Sequence, residues 1–355
     1  MFIPYFSVFR PYKFPFTPKL NPVQLPTQMN AIFQDAVSGP LTARTCPVPV
    51  PKPGQVLIKM EAAPINPSDL YFLEGTYKFT KPYPCIPGLE GSGVVVASGG
   101  GWYANWLVGK KVGCSCLITE GGTWAEYMVT SPQLCVPLGQ DADLEKAAML
   151  LVNPLTAIAL LEIAKKGGHS KVINTAGASA LGKMMIRMGQ QVGVTVIPVV
   201  RREAQVTELE ALGAKHILNS SDPNFRKVLR ETLKSQKITL LMDAVAGEMT
   251  QHLLTASPSG STVLLYGAMS NALAGIDPGS IIFNRKSVTG FYLTDWLAKK
   301  NLAQIYLLGR RVQKLLDHEL KTDIHARVPF QDAQKGLELY RANMTTGKIL
   351  FKPVV

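Results

Sequence analysis

The chain has 355 residues, 46% hydrophobic and 17% charged, and its 37 Lys+Arg against 25 Asp+Glu give a net charge of +12. That length supports two domains with their own cores, and that composition excludes a disordered or collagen-like chain. The most apolar stretch, 147–164, is broken by Asn153-Pro154 and interrupted by Glu162, which excludes a transmembrane helix there. Basic residues are dispersed, without an arginine-rich or aromatic-interleaved run. The charge therefore reads as that of a soluble basic enzyme with phosphate-bearing ligands, and nucleic-acid binding is disfavoured. Cys46, Cys85, Cys114, Cys116 and Cys135 show no disulfide framework and suggest a reducing compartment.

In chain order, residues 1–29 come first, rich in proline and aromatics and carrying Arg10, Lys13 and Lys19 with no acid before Asp35. Two readings stay open: an import leader, which is basic and acid-poor, or an extended arm that binds another surface. Residues 30–152 follow with short strands (55–62, 93–97, 125–129) between Pro/Gly turns, which predicts a compact β-rich domain. From 153 to 292 strands and helices alternate. Strands are expected at 172–175, 194–200, 239–243 and 261–266, with helices between them, one of them over 203–212. That alternation predicts an α/β architecture, a doubly wound parallel sheet with helices on both faces. Residues 295–320 read as one long helix. A closing strand at 348–353 is expected to return to the first domain, which then comprises 30–152 plus 293–355.

The segment 171–202 carries the densest signal. An apolar strand leads into the turn Gly177-Ala178-Ser179-Ala180-Leu181-Gly182, then a helix through Gln191, a second strand, and Arg201-Arg202. Such a turn lets backbone amides approach a pyrophosphate at the positive end of the helix. The usual middle glycine is Ser179, and Pro198 interrupts the second strand. Where an acid normally takes the ribose hydroxyls, this chain has two arginines, whose planar forks suit a 2′-phosphate. The cofactor expected is NADP(H).

Several blocks together give the chain a resemblance to the medium-chain dehydrogenase/reductases. They are Ile65-Asn66-Pro67-Ser68-Asp69, Pro87-Gly88-Leu89-Glu90-Gly91-Ser92-Gly93, Gly121-Gly122-Thr123-Trp124-Ala125-Glu126-Tyr127 and Asn153-Pro154-Leu155-Thr156-Ala157, alongside the nucleotide unit. The resemblance implies a GroES-like catalytic domain over 30–152 plus 293–355 and a Rossmann domain over 153–292. Zinc-dependent members place a histidine where this chain has Leu89. Leucine cannot ligate, and no histidines are spaced as ligands, so no metal is expected.

Within the zinc-free members the chain is similar to mitochondrial trans-2-enoyl-thioester reductases and to quinone oxidoreductases. The first group carries its catalytic tyrosine in a segment matching Glu74-Gly75-Thr76-Tyr77. The resemblance implies Tyr77 as the hydrogen-bond donor, with Tyr71 and Tyr83 as alternatives, and Asn66 as a holder of Tyr77 or of the nicotinamide ribose. Thr156 is implied as a cofactor contact, Tyr266-Gly267-Ala268 as neighbours of the nicotinamide, and Lys348 as a lysine reaching the 2′-phosphate. Tyr292 and Trp296 are implied as lining an acyl or ring pocket, with interdomain packing as the competing role.

The function expected is NADPH-dependent reduction of an activated C=C bond, with a trans-2-enoyl thioester ahead of a quinone or other conjugated carbonyl, in a mitochondrial or else cytoplasmic homodimer. The alternative is an inactive homologue that serves as an accessory subunit of a larger assembly through residues 1–29.

Overall fold

The computed structural model describes residues 25–270 and 272–353. The arm that the sequence sets apart lies almost wholly outside them. A hairpin of β1 (Gln28–Gln34) and β2 (Leu41–Pro47) opens the described chain. There follow β3 (Val56–Pro64), α1 (Pro67–Leu73), β4 (Glu90–Ser98), α2 (Trp102–Leu107), β5 (Lys111–Ser115), β6 (Tyr127–Thr130) and β7 (Cys135–Pro137). Helices α3 (Leu144–Ala147) and α4 (Val152–Lys166) lead into the alternating part.

That part runs β8 (Lys171–Asn174), α5 (Ala180–Val192), β9 (Thr195–Val200), α6 (Glu203–Ala211), β10 (Leu218–Asn219) and α7 (Phe225–Ser235). It continues through β11 (Leu240–Asp243), α8 (Glu248–Ala256), β12 (Thr262–Leu265), α9 (Pro278–Ile282) and β13 (Ser287–Gly290). The chain closes with α10 (Leu293–Leu297), α11 (Leu302–Leu315), β14 (Ile324–Pro329), α12 (Ala333–Ala342) and β15 (Lys348–Lys352).

The six alternating strands form one sheet in the order β10-β9-β8-β11-β12-β13, parallel throughout. The chain moves outward from β8 in one direction and from β11 in the other, so a crevice opens at the carboxyl ends of these two strands. The other sheet has the order β14-β15-β3-β4-β5-β7, with β6 on β3. As expected, β15 returns to it and pairs antiparallel with β3.

Pro198 sits inside β9, yet the sheet tolerates it for a local reason. Val200 O, on the same side of the strand, accepts from Ser220 N beyond β10. By alternation the missing N–H of Pro198 faces β10, which covers only Val199 and Val200.

The helix expected at 295–320 is two helices. Asn301 Oδ1 accepts from Gln304 N at 2.9 Å and Gln304 Oε1 accepts from Asn301 N at 2.9 Å, a reciprocal cap that starts α11 afresh. Val312 is fully buried in the same cluster as the inward residues of α4 and α5, and Leu293, Trp296, Leu308 and Leu315 pack against that cluster. On this packing we place the return to the first domain after Leu320 rather than at 293.

Candidate active site

A cleft of about 1000 Å³ runs between the two sheets, walled by α1, α4, α11, the 175–181 turn and the ends of β9 and β12. At one end lies the turn after β8. Ser179 caps α5, its Oγ accepting from Gly182 N at 3.1 Å, so the serine that replaces glycine satisfies an otherwise free helix amide. Gly177 and Gly182 are there for close approach. A Cβ on Gly177 would stand 2.3 Å from Pro198 Cβ, and one on Gly182 would stand 2.3 Å from Gly177 O. Gly177, Ala178, Ser179, Ala180 and Leu181 wall the cleft, while Gly182 packs beneath the turn.

The turn is fixed from behind by a network the sequence did not announce. Thr175 Oγ1 donates to the buried Asp243 at 2.6 Å and accepts from Ala244 N at 2.8 Å. Thr250 Oγ1 donates to the other Asp243 oxygen at 2.6 Å. Tyr266 reaches the cleft, but its hydroxyl turns back to Asn174 Oδ1 at 2.8 Å.

Arg201 and Arg202 close this end of the cleft, exposed and with no acid between the strand end and α6. Gln205 Oε1 takes both their backbone amides, at 3.1 and 3.2 Å. Arg202 also reaches across the cleft, donating to Thr345 Oγ1 at 2.9 Å on the loop after α12. Ser220, Asn343 and Thr345 complete the wall here. Helix-terminus amides and two guanidinium forks, with the small polar side chains of Ser220, Asn343 and Thr345 beside them, fit a phosphorylated dinucleotide.

The middle of the cleft rests on a buried polar knot. Asn66 precedes α1, and its Nδ2 donates to Glu90 Oε1 at 2.8 Å. Glu90 Oε2 accepts the amides of Leu151 and Val152 at 3.0 and 2.8 Å, a carboxylate at the start of α4. Asp69 accepts from Asn66 N at 2.7 Å and from Leu89 N at 3.1 Å. Lys348 Nζ donates to Asn66 Oδ1 and to Ile65 O.

Burial raises the Asp69 carboxyl to about 7, against its amide hydrogen bonds and the Lys348 charge. Burial likewise raises Glu90, and lowers Lys348 to about 8 even though Glu90 and Asp69 favour its charge. Lys348 also lines the cleft, and in this structure its ammonium is engaged by Asn66 and Ile65 of the first domain. Asn66 is fully buried with both side-chain atoms engaged, so it positions α1 instead of touching Tyr77 or a ribose.

The other end of the cleft is apolar. Phe79, Leu89, Leu134, Val136, Ile305 and Leu308 line the cleft together with Tyr77 and Tyr292. The two phenol rings meet edge-on with centroids 6.3 Å apart, and Phe79 lies 5.1 Å from Tyr77. Burial first, then the neighbouring Tyr292, holds the Tyr77 hydroxyl well above the ordinary phenol range. Tyr71 also faces the cleft, but its oxygen accepts from Ala268 N at 2.8 Å across the domains.

Tyr83 lies outside the cleft wall, and so does Trp296, which packs against the nucleotide-side core with the Lys300 ammonium 3.9 Å over its ring. Thr156 and Tyr292 are in the wall. Among the described residues no three His, Cys, Asp or Glu side chains converge to hold a metal. At the expected ligand position, Leu89 offers only hydrocarbon.

Sequence reasoning missed Asp69, Glu90, Gln205, Ser220, Thr345 and the Thr175–Asp243 pair. Asp69 and Glu90 sat within the motif blocks, yet one sequence does not show that their carboxylates turn inward.

The family model for the alcohol dehydrogenase GroES-like domain matches residues 52–140, and that for zinc-binding dehydrogenase matches 180–306. A mitochondrial enoyl-[acyl-carrier-protein] reductase of Xenopus tropicalis is 32% identical, covering 72% of this chain and 73% of that protein. Its counterpart in Arabidopsis thaliana is 29% identical over 81% of this chain and 77% of that protein. A solved structure of a provisionally assigned NADPH:quinone reductase from Mesorhizobium loti superposes with a TM-score of 0.86 at 33% identity, covering 93% of this chain and 99% of that one. Two domains wrapped around a dinucleotide turn, and these likenesses along most of the chain, have one meaning: the chain belongs to the medium-chain dehydrogenase/reductase family.

Proposed function

We propose that the chain is an NADPH-dependent reductase of activated C=C bonds, with a trans-2-enoyl thioester as substrate. One observation carries the reading. A single cleft joins an arginine-closed phosphate turn at one end to an apolar chamber at the other, and Tyr77 stands in the chamber. The relatives named for enoyl thioester reduction and the neighbour named for quinone reduction support the same reaction class.

When bound, NADPH would supply a hydride for the β-carbon of the substrate, and the resulting enolate would take a proton at its α-carbon to complete the reduction. The turn amides and Ser179 would hold its pyrophosphate, and Arg201 and Arg202 its 2′-phosphate. The thioester carbonyl gains negative charge as the β-carbon is reduced, so a donor aimed at that oxygen lowers the barrier. Tyr77 is held as the neutral phenol by its burial and is that donor. The apolar wall excludes water and takes the acyl chain. The knot around Asn66 ties the start of α1 to the start of α4, two elements of the cleft wall.

We place the protein in mitochondria, in keeping with the relatives' names, and read it as a homodimer. Strand β13 is an open sheet edge, and Ile282 and Phe283 beside it are 67% and 82% exposed, which supports self-association along that edge. The two departures from the usual nucleotide unit have structural explanations, since Ser179 caps α5 and Pro198 faces a gap. The test is NADPH oxidation by the purified chain with a trans-2-butenoyl thioester and, separately, a quinone. Turnover of the thioester supports the reading. Tight NADPH binding with no turnover of either substrate contradicts it.

A further inference from the structure

Helix α11 has two faces with different work. Ile305, Leu308 and Gly309 wall the apolar end of the cleft, and Val312 is fully buried in the core behind it. The outer face instead exposes Tyr306 and Leu307, at 61% and 65%. Around them stand Lys299, Arg310, Arg311 and Lys314, all exposed, and no acid occurs between Asp295 and Asp317. Lys300 is taken up by Glu162 at 3.2 Å. The other four cations have no carboxylate partner among the described residues. An unneutralised row of this kind repels itself, and an anionic surface relieves the repulsion. Two exposed apolar side chains inside a basic rim also match the anatomy of a protein interface.

The position of this face ties it to the substrate. Gln313 Nε2 donates to Pro137 O at 2.8 Å, which holds α11 against β7. The cleft reaches solvent beside that seam, where Ile118 and Leu134 line it and are 61% and 37% exposed. Leu134, Val136 and Ile305 line the same cleft as Tyr77.

We infer that the outer face of α11 docks an acidic carrier protein, which delivers its acyl group on a flexible arm through the apolar mouth of the cleft. This rests on the thioester reading. A bilayer fits less well. An interfacial helix must bury a whole apolar face, and the apolar face of α11 is already used inward, leaving Tyr306 and Leu307 alone.

The test compares two thioesters of the same acyl group, crotonyl–acyl carrier protein and crotonyl-N-acetylcysteamine, on the full chain and on the Arg310→Glu/Arg311→Glu/Lys314→Glu variant. The variant should lose about tenfold or more in kcat/KM for the carrier-bound substrate, and the small thioester should be unaffected within about twofold. Added salt should depress only the carrier-bound rate of the unaltered chain. Direct binding of unacylated carrier, measured by biolayer interferometry, should fall in parallel, which tests docking without any need for turnover. A normal carrier rate and normal carrier binding in the variant overturn the inference. So does a variant that loses capture by vesicles of equimolar phosphatidylcholine and phosphatidylserine but keeps carrier binding. Failure of the unaltered chain to reduce the small thioester strikes the thioester reading itself, and is told apart by the binding arm.

Discussion

Replacing Arg201 and Arg202 with alanine tests the cofactor assignment at the point where the structure is most specific. Both guanidinium groups lie at the exposed end of the cleft, with Ser220 and Thr345 beside them. A hydrogen bond to a charged group contributes about 1.5–3 kcal/mol, and exposure places these two at the low end of that range. Each arginine should therefore contribute about tenfold to NADPH affinity, and the pair up to about a hundredfold. NADH lacks the 2′-phosphate, so its affinity should change by no more than about twofold. Fluorescence titration of both nucleotides with each single and the double variant measures this directly. The wild-type preference for NADPH should also shrink as salt is raised, because an exposed phosphate–guanidinium contact is screened. Equal weakening of NADH and NADPH would mean that the arginines shape the turn instead of reading the phosphate, and the assignment would fail.

Other substitutions probe the parts that hold the site. Gly177→Ala puts a Cβ where Pro198 already stands at 2.3 Å. The turn must then shift by about 1 Å, which costs about 1–3 kcal/mol in a urea melt and should weaken both nucleotides alike. Lys348→Met leaves the buried Glu90 carboxylate without its countercharge and should cost about 3–5 kcal/mol, whereas a lysine reserved for the 2′-phosphate would leave stability unchanged. Asp69 titrates near 7 in the folded protein, above its unfolded value, so its contribution to stability is full at low pH and is lost as pH rises to about 7 and beyond. The stability difference between wild type and Asp69→Asn should accordingly shift against the wild type between pH 4 and pH 8, and a flat difference would refute the raised carboxyl.

Much of this architecture was legible because it is local. The strand, turn, helix and strand from 171 to 202 are specified by neighbours in sequence, and the arginines follow directly. The closing strand β15 was also readable from its apolar pattern. Lys348 was not, because its direction depends on β15 lying beside β3, which brings the side chain down onto Asn66, 282 residues away in sequence. Tyr71 and Ala268 meet only when the two domains do, 197 residues apart. For Trp296 the resemblance left a pocket role and a packing role open, and the turn of α10 sends it to the nucleotide-side core. The break before α11 did carry a signal, Asn301-x-x-Gln304, which the apolar periodicity on either side obscured.

The measurement that bears most directly on the proposed reaction is single-turnover reduction of a trans-2-butenoyl thioester by Tyr77→Phe, with NADPH affinity measured alongside. Loss of one donor to a developing oxyanion lowers kcat by about 100-fold to 1000-fold, and here NADPH binding and stability should stay as they were. A Tyr77→Phe protein that turns over at the wild-type rate would remove the hydroxyl from the mechanism and contradict the account of how this cleft reduces its substrate.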